Sequence, residues 1–154
     1  LHGMASAGTV AWVMHQSSVT ACPTVPGKGL EAVGVAVTRT TMANWVIRNS
    51  EEFFCPMYKY FHRKLLNENA IRPFTVGRKN WLFCDTPNGV QASAVVYTMV
   101  EMAKANGVNV YHYLTYLLEK LPNDRMSDEE LELLAPWNGD VKVEIERRAV
   151  NSNQ

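Results

Sequence analysis

Apolar positions along the chain recur mostly at helical spacing. Val10, Val13, Met14 and Val19 form one stripe, which predicts a helix over Gly8 to Val19 capped by Ser6 or Thr9. A second stripe runs Met42, Trp45, Val46, Asn49, Phe53, Met57, Phe61, Leu65, behind Thr38 as an N-cap. Pro56 lies inside that stripe and must kink the helix or start a new one, because an interior proline costs about 3 kcal/mol. Thr86-Pro87 predicts a helix start, with Val96, Met99, Val100 and Ala103 as its buried face and Gly107 as its stop. Asn109 caps a helix over Val110 to Leu121, which Pro122 ends. Ser127 and Glu130 predict a capping box for a short helix through Leu134. The charged end, residues 139–154, predicts a mobile tail. Cys22 to Gly29, with two prolines and two glycines, is loop, and a short turn of helix is expected around Leu30 to Val33.

Between these helices, Glu68 to Phe83 breaks the pattern. Pro73 disfavours a helical Arg72, so a helix carrying Glu68 ends near there. Thr75-Val76 and Trp81-Leu82-Phe83 flank a polar tip and predict a short β-hairpin at about residues 74–83. One carboxylate, Glu68, beside Arg72, Arg78 and Lys79 suits phosphodiester chemistry, where a metal-holding acid needs cations nearby. A surface hairpin with buried aromatics accounts for the same residues without any chemistry.

Charge sharpens this picture. The chain is formally neutral, yet residues 1–79 hold nine Lys/Arg against four Asp/Glu, and residues 80–154 six against eleven. Such asymmetry predicts either a polyanionic partner for the basic half or attraction between the halves. On the second stripe, Arg39, Thr40, Thr41, Asn44 and Arg48 fall mainly off the apolar side, like the reading helix of a helix-turn-helix; capped surface helices show the same pattern. Tyr111, Tyr113 and Tyr116 could stack bases, but their spacing suits core packing better. Cys22, Cys55 and Cys84 are odd in number and lack metal spacing, which fits a reducing cytoplasm. His2, His15, His62 and His112 are scattered. No basic-then-apolar leader opens the chain, and Val90 to Ala105 is too short to span a bilayer, so a cytoplasmic protein without a membrane segment is expected. The length, 154 residues, suits one ordinary domain.

Two blocks resemble transposases of the insertion-sequence 66 family. One is ENAIRPFTVGRKNWLFCDTPNGVQASAVVYTMVEMAKANGVNVYHYLTYLLEKLP, Glu68 to Pro122, with LLAPWN at Leu133 to Asn138. The other comprises MASAGTVAWVMHQ at Met4 to Gln16 and GVAVTRTTMANWVIRNSEEFFCPMYKYFHRKLL at Gly34 to Leu66. The resemblance implies an RNase H-like enzyme that cuts and joins insertion-element ends with two aspartates, a glutamate and a divalent metal such as Mg. By position, Glu68 is similar to the family's catalytic and metal-holding glutamate, and Arg72, Arg78 and Lys79 to its basic positions. Arg39, Thr40, Thr41, Asn44 and Arg48 lie in the segment similar to a DNA-contacting helix.

The departures are specific. In the family an aspartate-bearing stretch separates the two blocks; here they abut at Asn67, and no aspartate precedes Asp85. The segment TVPGKGLE, Thr24 to Glu31, also differs from the family pattern. The resemblance therefore implies an internally deleted or degenerate copy: residues 1–66 helical and helix-turn-helix-like, 67–138 the C-terminal transposase segment, 139–154 a charged tail. The expected fold is mainly α, a loose helical remnant with one hairpin and without the RNase H-like core. The expected partners are DNA ends, the intact transposase or other element-encoded proteins. Catalysis by this chain alone is not expected, and the alternative is a non-catalytic DNA-binding competitor.

Overall fold

The computed structural model describes residues 6–20, 38–67 and 87–151. Among these the fold is mainly α, with no strand. The expected hairpin at 74–83 and the turn around Leu30 to Val33 lie outside the described residues. The elements are α1 (Ala7–Thr20), α2 (Arg39–Asn49), a π turn (Ser50–Phe54), α3 (Cys55–Asn67), α4 (Pro87–Ala105), α5 (Val110–Lys120), α6 (Asp128–Glu132) and α7 (Gly139–Asn151).

Local chemistry explains most boundaries. Ser6 Oγ accepts from the Thr9 N–H at 3.2 Å, which starts α1. Thr38 does the same for Thr41 at 3.2 Å and starts α2. Helix α4 ends in a left-handed Gly107, φ 70°, with Val108 N–H donating to Ala103 O at 2.9 Å and Gly107 N–H to Lys104 O at 3.0 Å. These two bonds satisfy the last carbonyls as glycine-terminated helices require. Asn109 Oδ1 accepts from His112 N–H at 3.2 Å, and Ser127 and Glu130 close the expected box around α6.

Helix α4 is the axis of the fold. It carries buried residues on more than one side, including Ala92, Val95, Val96, Met99, Val100 and Met102, and it packs against α1, α2, the π turn, α3 and α5. An apolar run that resembles a failed membrane span is thus a central helix, apolar nearly all round because helices surround it. No described helix is long and apolar enough to cross a membrane. Its buried Thr98 is satisfied by donating to Ala94 O at 2.9 Å.

The two blocks share one core. Val10, Ala11 and Met14 of α1, Phe54 of the π turn, and Met57 and Phe61 of the second stripe join Val96, Met99, Tyr113, Leu114 and Leu117 in a single buried cluster. Helix α1 packs chiefly on α5. Gly8 allows this close approach, since a Cβ there would lie 3.2 Å from the Tyr111 hydroxyl. Among the described residues the exposed large apolar side chains are Leu121, Leu133, Val143 and Val150, the last two seven residues apart on α7.

At Pro56, where the sequence requires a kink or a new helix, the backbone widens into the π turn, where Cys55 N–H donates to Ser50 O, and a new helix starts at Cys55. Pro56 has no N–H for the Glu52 carbonyl, and a wider turn just before it relieves the clash that a proline makes with the carbonyl four residues back. Within the π turn Phe54 is buried and Phe53 only half-buried, while Met57 and Phe61 of the expected stripe stay buried, joined by Tyr60. The charged end is not the expected tail through residue 151. Asn138 Oδ1 accepts from Asp140 N–H at 2.9 Å and starts α7, whose Val141 and Ile145 are buried. An apolar i, i+4 pair is enough to seat a helix whose remaining positions are mainly charged.

Candidate nucleic-acid interface

Two surfaces hold polar groups that could meet a polyanion. The first is the start of α2. Thr40, Asn44 and Arg48 are exposed and follow one another at i, i+4, i+8, so they share one side of the helix. Thr41 is half-buried, with its hydroxyl 2.9 Å from that of Thr38, and therefore serves the helix start. Arg48 Nε donates to Glu52 Oε1 at 3.2 Å, so its charge is already shared. The Arg39 side chain, Glu68, Arg72, Arg78 and Lys79 lie outside the described residues.

The second surface is on α3 and was not singled out from the sequence. Lys59 Nζ lies 3.1 Å from Asp124 Oδ1, Arg63 pairs with Asp128, and Lys64 Nζ lies 3.0 Å from Glu132 Oε2. Three cations of the basic half thus face three acids of the acidic half, separated by 65, 65 and 68 residues. The bond from Asp124 raises the Lys59 pKa above its ordinary value. Mutual attraction thus accounts for part of the charge asymmetry. The visible signal was K-x-x-x-R-K in one half and D-x-x-x-D-x-x-x-E in the other, both at helical spacing.

Glu132 does double duty. Its other oxygen accepts from the Trp137 indole N–H at 2.8 Å. The Trp137 ring lies 5.2 Å from that of Phe61 and 6.5 Å from that of Tyr60, and Lys64 Nζ stands 6.0 Å above it. The Leu133 to Asn138 motif is therefore a dock. Leu134, Ala135 and Pro136 are buried, Trp137 covers α3, and Asn138 opens α7. The tyrosines of α5 belong to packing as well. Tyr113 is fully buried and donates to Leu134 O at 3.1 Å, and burial holds its phenol well above the ordinary value of 10.0. Tyr116 is buried beneath Arg148, whose guanidinium carbon lies 5.5 Å from the ring centre.

Residues 66–92 match the Transposase IS66 family, and residues 98–137 match the IS66 C-terminal element. Over these stretches the chain is similar to IS66-family transposases. The IS66 C-terminal element here comprises the second half of α4, α5, α6 and the turn through Trp137. The first IS66 match spans the Glu68 to Lys79 cluster. Neither reaches residues 1–65, the N-terminal block whose helices complete the core. Two relatives from Sinorhizobium fredii (strain NBRC 101917 / NGR234) are similar over 71 residues: uncharacterized protein y4qI, 38% identical, and uncharacterized protein y4jD, 30% identical. The matched stretch is 46% of this chain in both cases and 13% and 14% of those proteins, so the chain spans only a small part of the length of the curated relatives it matches. No solved structure matches.

A divalent metal, as the resemblance implies, needs several carboxylates converging on one point. Among the described residues no three His, Cys, Asp or Glu side chains are grouped to hold one. Asp124, Asp128 and Glu132 each hold a cation instead. Among the described residues this donor set does not fit a two-metal centre.

Proposed function

We propose that the chain is a transposition-related protein, a non-catalytic piece of an IS66-type transposase acting in the cytoplasm on insertion-element DNA. The observation that carries this reading is the pair of IS66 matches, 66–92 and 98–137, in a chain with no aspartate before position 85. Glu68, within the first match, corresponds to one carboxylate of a catalytic set, and one carboxylate cannot hold two metal ions in the in-line arrangement that strand cleavage uses. Arg72, Arg78 and Lys79 would contact phosphates beside it. Magnesium, which the intact enzyme would require, is not bound stably by this chain. The test is cleavage of element-end DNA by the purified chain with magnesium. No product above a protein-free control is expected, and robust metal-dependent cutting overturns the assignment.

The exposed Thr40, Asn44 and Arg48 on one side of α2 favour a second reading, a DNA-binding competitor of the intact transposase. Binding through phosphates must weaken steeply as salt rises. A salt-dependent shift lost in Asn44→Ala/Arg48→Ala supports this reading, and no shift at low salt by the folded chain ends it.

A further inference from the structure

Tyr58, Lys59, His62 and Arg63 line a shallow, open depression of about 310 Å³ on one side of α3. The rings of Tyr58 and His62 lie 5.9 Å apart and tilted by 34°. The side chains of Lys59 and Arg63 are 53% and 56% exposed, although Asp124 and Asp128 are bonded to them. We propose that this surface is a single-stranded nucleic-acid site whose two cations Asp124 and Asp128 occupy in the free chain. In it Lys59 and Arg63 hold phosphodiester oxygens, Tyr58 and His62 offer ring faces to an unpaired base, and the two carboxylates stand in for phosphates.

Three observations carry this. Cations and rings alternate along one helix face, at 58, 59, 62 and 63, which is the combination that single strands need: charge for the backbone, π surfaces for the bases. The groups bonded to the cations are anionic oxygens, whose charge-assisted geometry a phosphate oxygen reproduces. Both pairs are exposed, and exposed pairs add little to stability, so they can exchange partners without unfolding the core. The site is separate from the α2 surface, and it rests on the transposition reading only in the choice of DNA as probe. Cleavage of element-end DNA would overturn that reading and leave this one standing, and loss of binding here says nothing about catalysis.

The experiment measures fluorescence anisotropy of a labelled single-stranded oligonucleotide with the full chain, over a range of salt. Asp124→Asn/Asp128→Asn should bind about tenfold more tightly than the unmodified chain. Its logarithmic salt slope should steepen by about 1.4, since each added phosphate contact contributes about 0.7 on a single strand. Lys59→Glu/Arg63→Glu in that background should return binding to the starting level or below. Circular dichroism of every variant identifies the folded samples compared. Glu51→Gln/Glu146→Gln makes the same change in net charge elsewhere on the surface. Equal tightening by that control overturns the proposal, as do an unchanged affinity in the folded Asp124→Asn/Asp128→Asn protein and equally tight binding of polyglutamate. Duplex bound better than single strand removes the ring contacts and overturns it also.

Discussion

Helix α3 has two faces that join the same two halves of the chain by different physics. Met57, Tyr60 and Phe61 are buried among α4 and Trp137, whereas Lys59 and Arg63 stand exposed opposite Asp124 and Asp128. Apolar burial provides the attraction but is non-directional, so by itself it tolerates sliding. Charges at helical spacing do the reverse. Exposed pairs contribute little energy, yet mismatched signs are penalised, so they select which turn of α3 meets which turn of the acidic segment. One face holds the halves together and the other sets their register.

The largest effect should come from breaking the apolar face. Phe61→Ala removes a fully buried ring in contact with Trp137, and a loss of about 3–5 kcal/mol in denaturant unfolding is expected. A cost under about 1 kcal/mol would show that α3 is not part of the core. Tyr113→Phe keeps the ring but leaves Leu134 O without that donor, an expected loss of about 1–3 kcal/mol, readable as a lower melting midpoint. Ser50→Ala should act in the other direction. Its buried hydroxyl has no hydrogen-bond partner, so replacement should be neutral or stabilise by up to about 1 kcal/mol.

Acid should weaken the assembly. Burial lowers the pKa of His15, assisted by Lys104, and burial lowers that of His112, assisted by Arg148. With folded values below the unfolded 6.5, the unfolded chain binds more protons. The histidine contribution is therefore present above about 6.5 and is lost as pH falls toward the depressed folded values. Melting curves across that range should show the fall, and His15→Gln/His112→Gln should flatten it. Least affected should be the exchange Lys59→Asp with Asp124→Lys. Either single change should lower the denaturant midpoint slightly and the pair should recover it; failure to recover would deny the charged face its part in register.

Much of this architecture was legible in the sequence because it is local. The α4 face of Val96, Met99, Val100 and Ala103 follows from a 3.6-residue period, and Gly107, Asn109 and Ser127 mark boundaries by chemistry that acts within a turn. Phe54 was missed because periodicity assumes an unbroken helix and the π turn breaks it, and Tyr60 because it is buried by Trp137 from a distant segment. Helix α7 was hidden by charge, since only Val141 and Ile145 speak for burial there. The α3 ion pairs join residues 65 or more apart, a distance no local pattern spans, so they surfaced only as an imbalance between halves. Of the candidate site, the α2 residues Thr40, Asn44 and Arg48 do share a face, while Thr41 turns out to serve the helix start.

The π turn has one more consequence. A π turn fits one more residue into a single wide turn, so the faces of α2 and α3 stay in line across Ser50 to Phe54 although the sequence between them is a residue longer. Loss of one codon there would let the turn close to α geometry and leave Phe61, Lys59 and Arg63 on their present sides. What it would remove is the room before Pro56, whose ring would then confront an ordinary helical carbonyl. The wide turn is thus the allowance that lets a proline sit inside a continuous helical stripe.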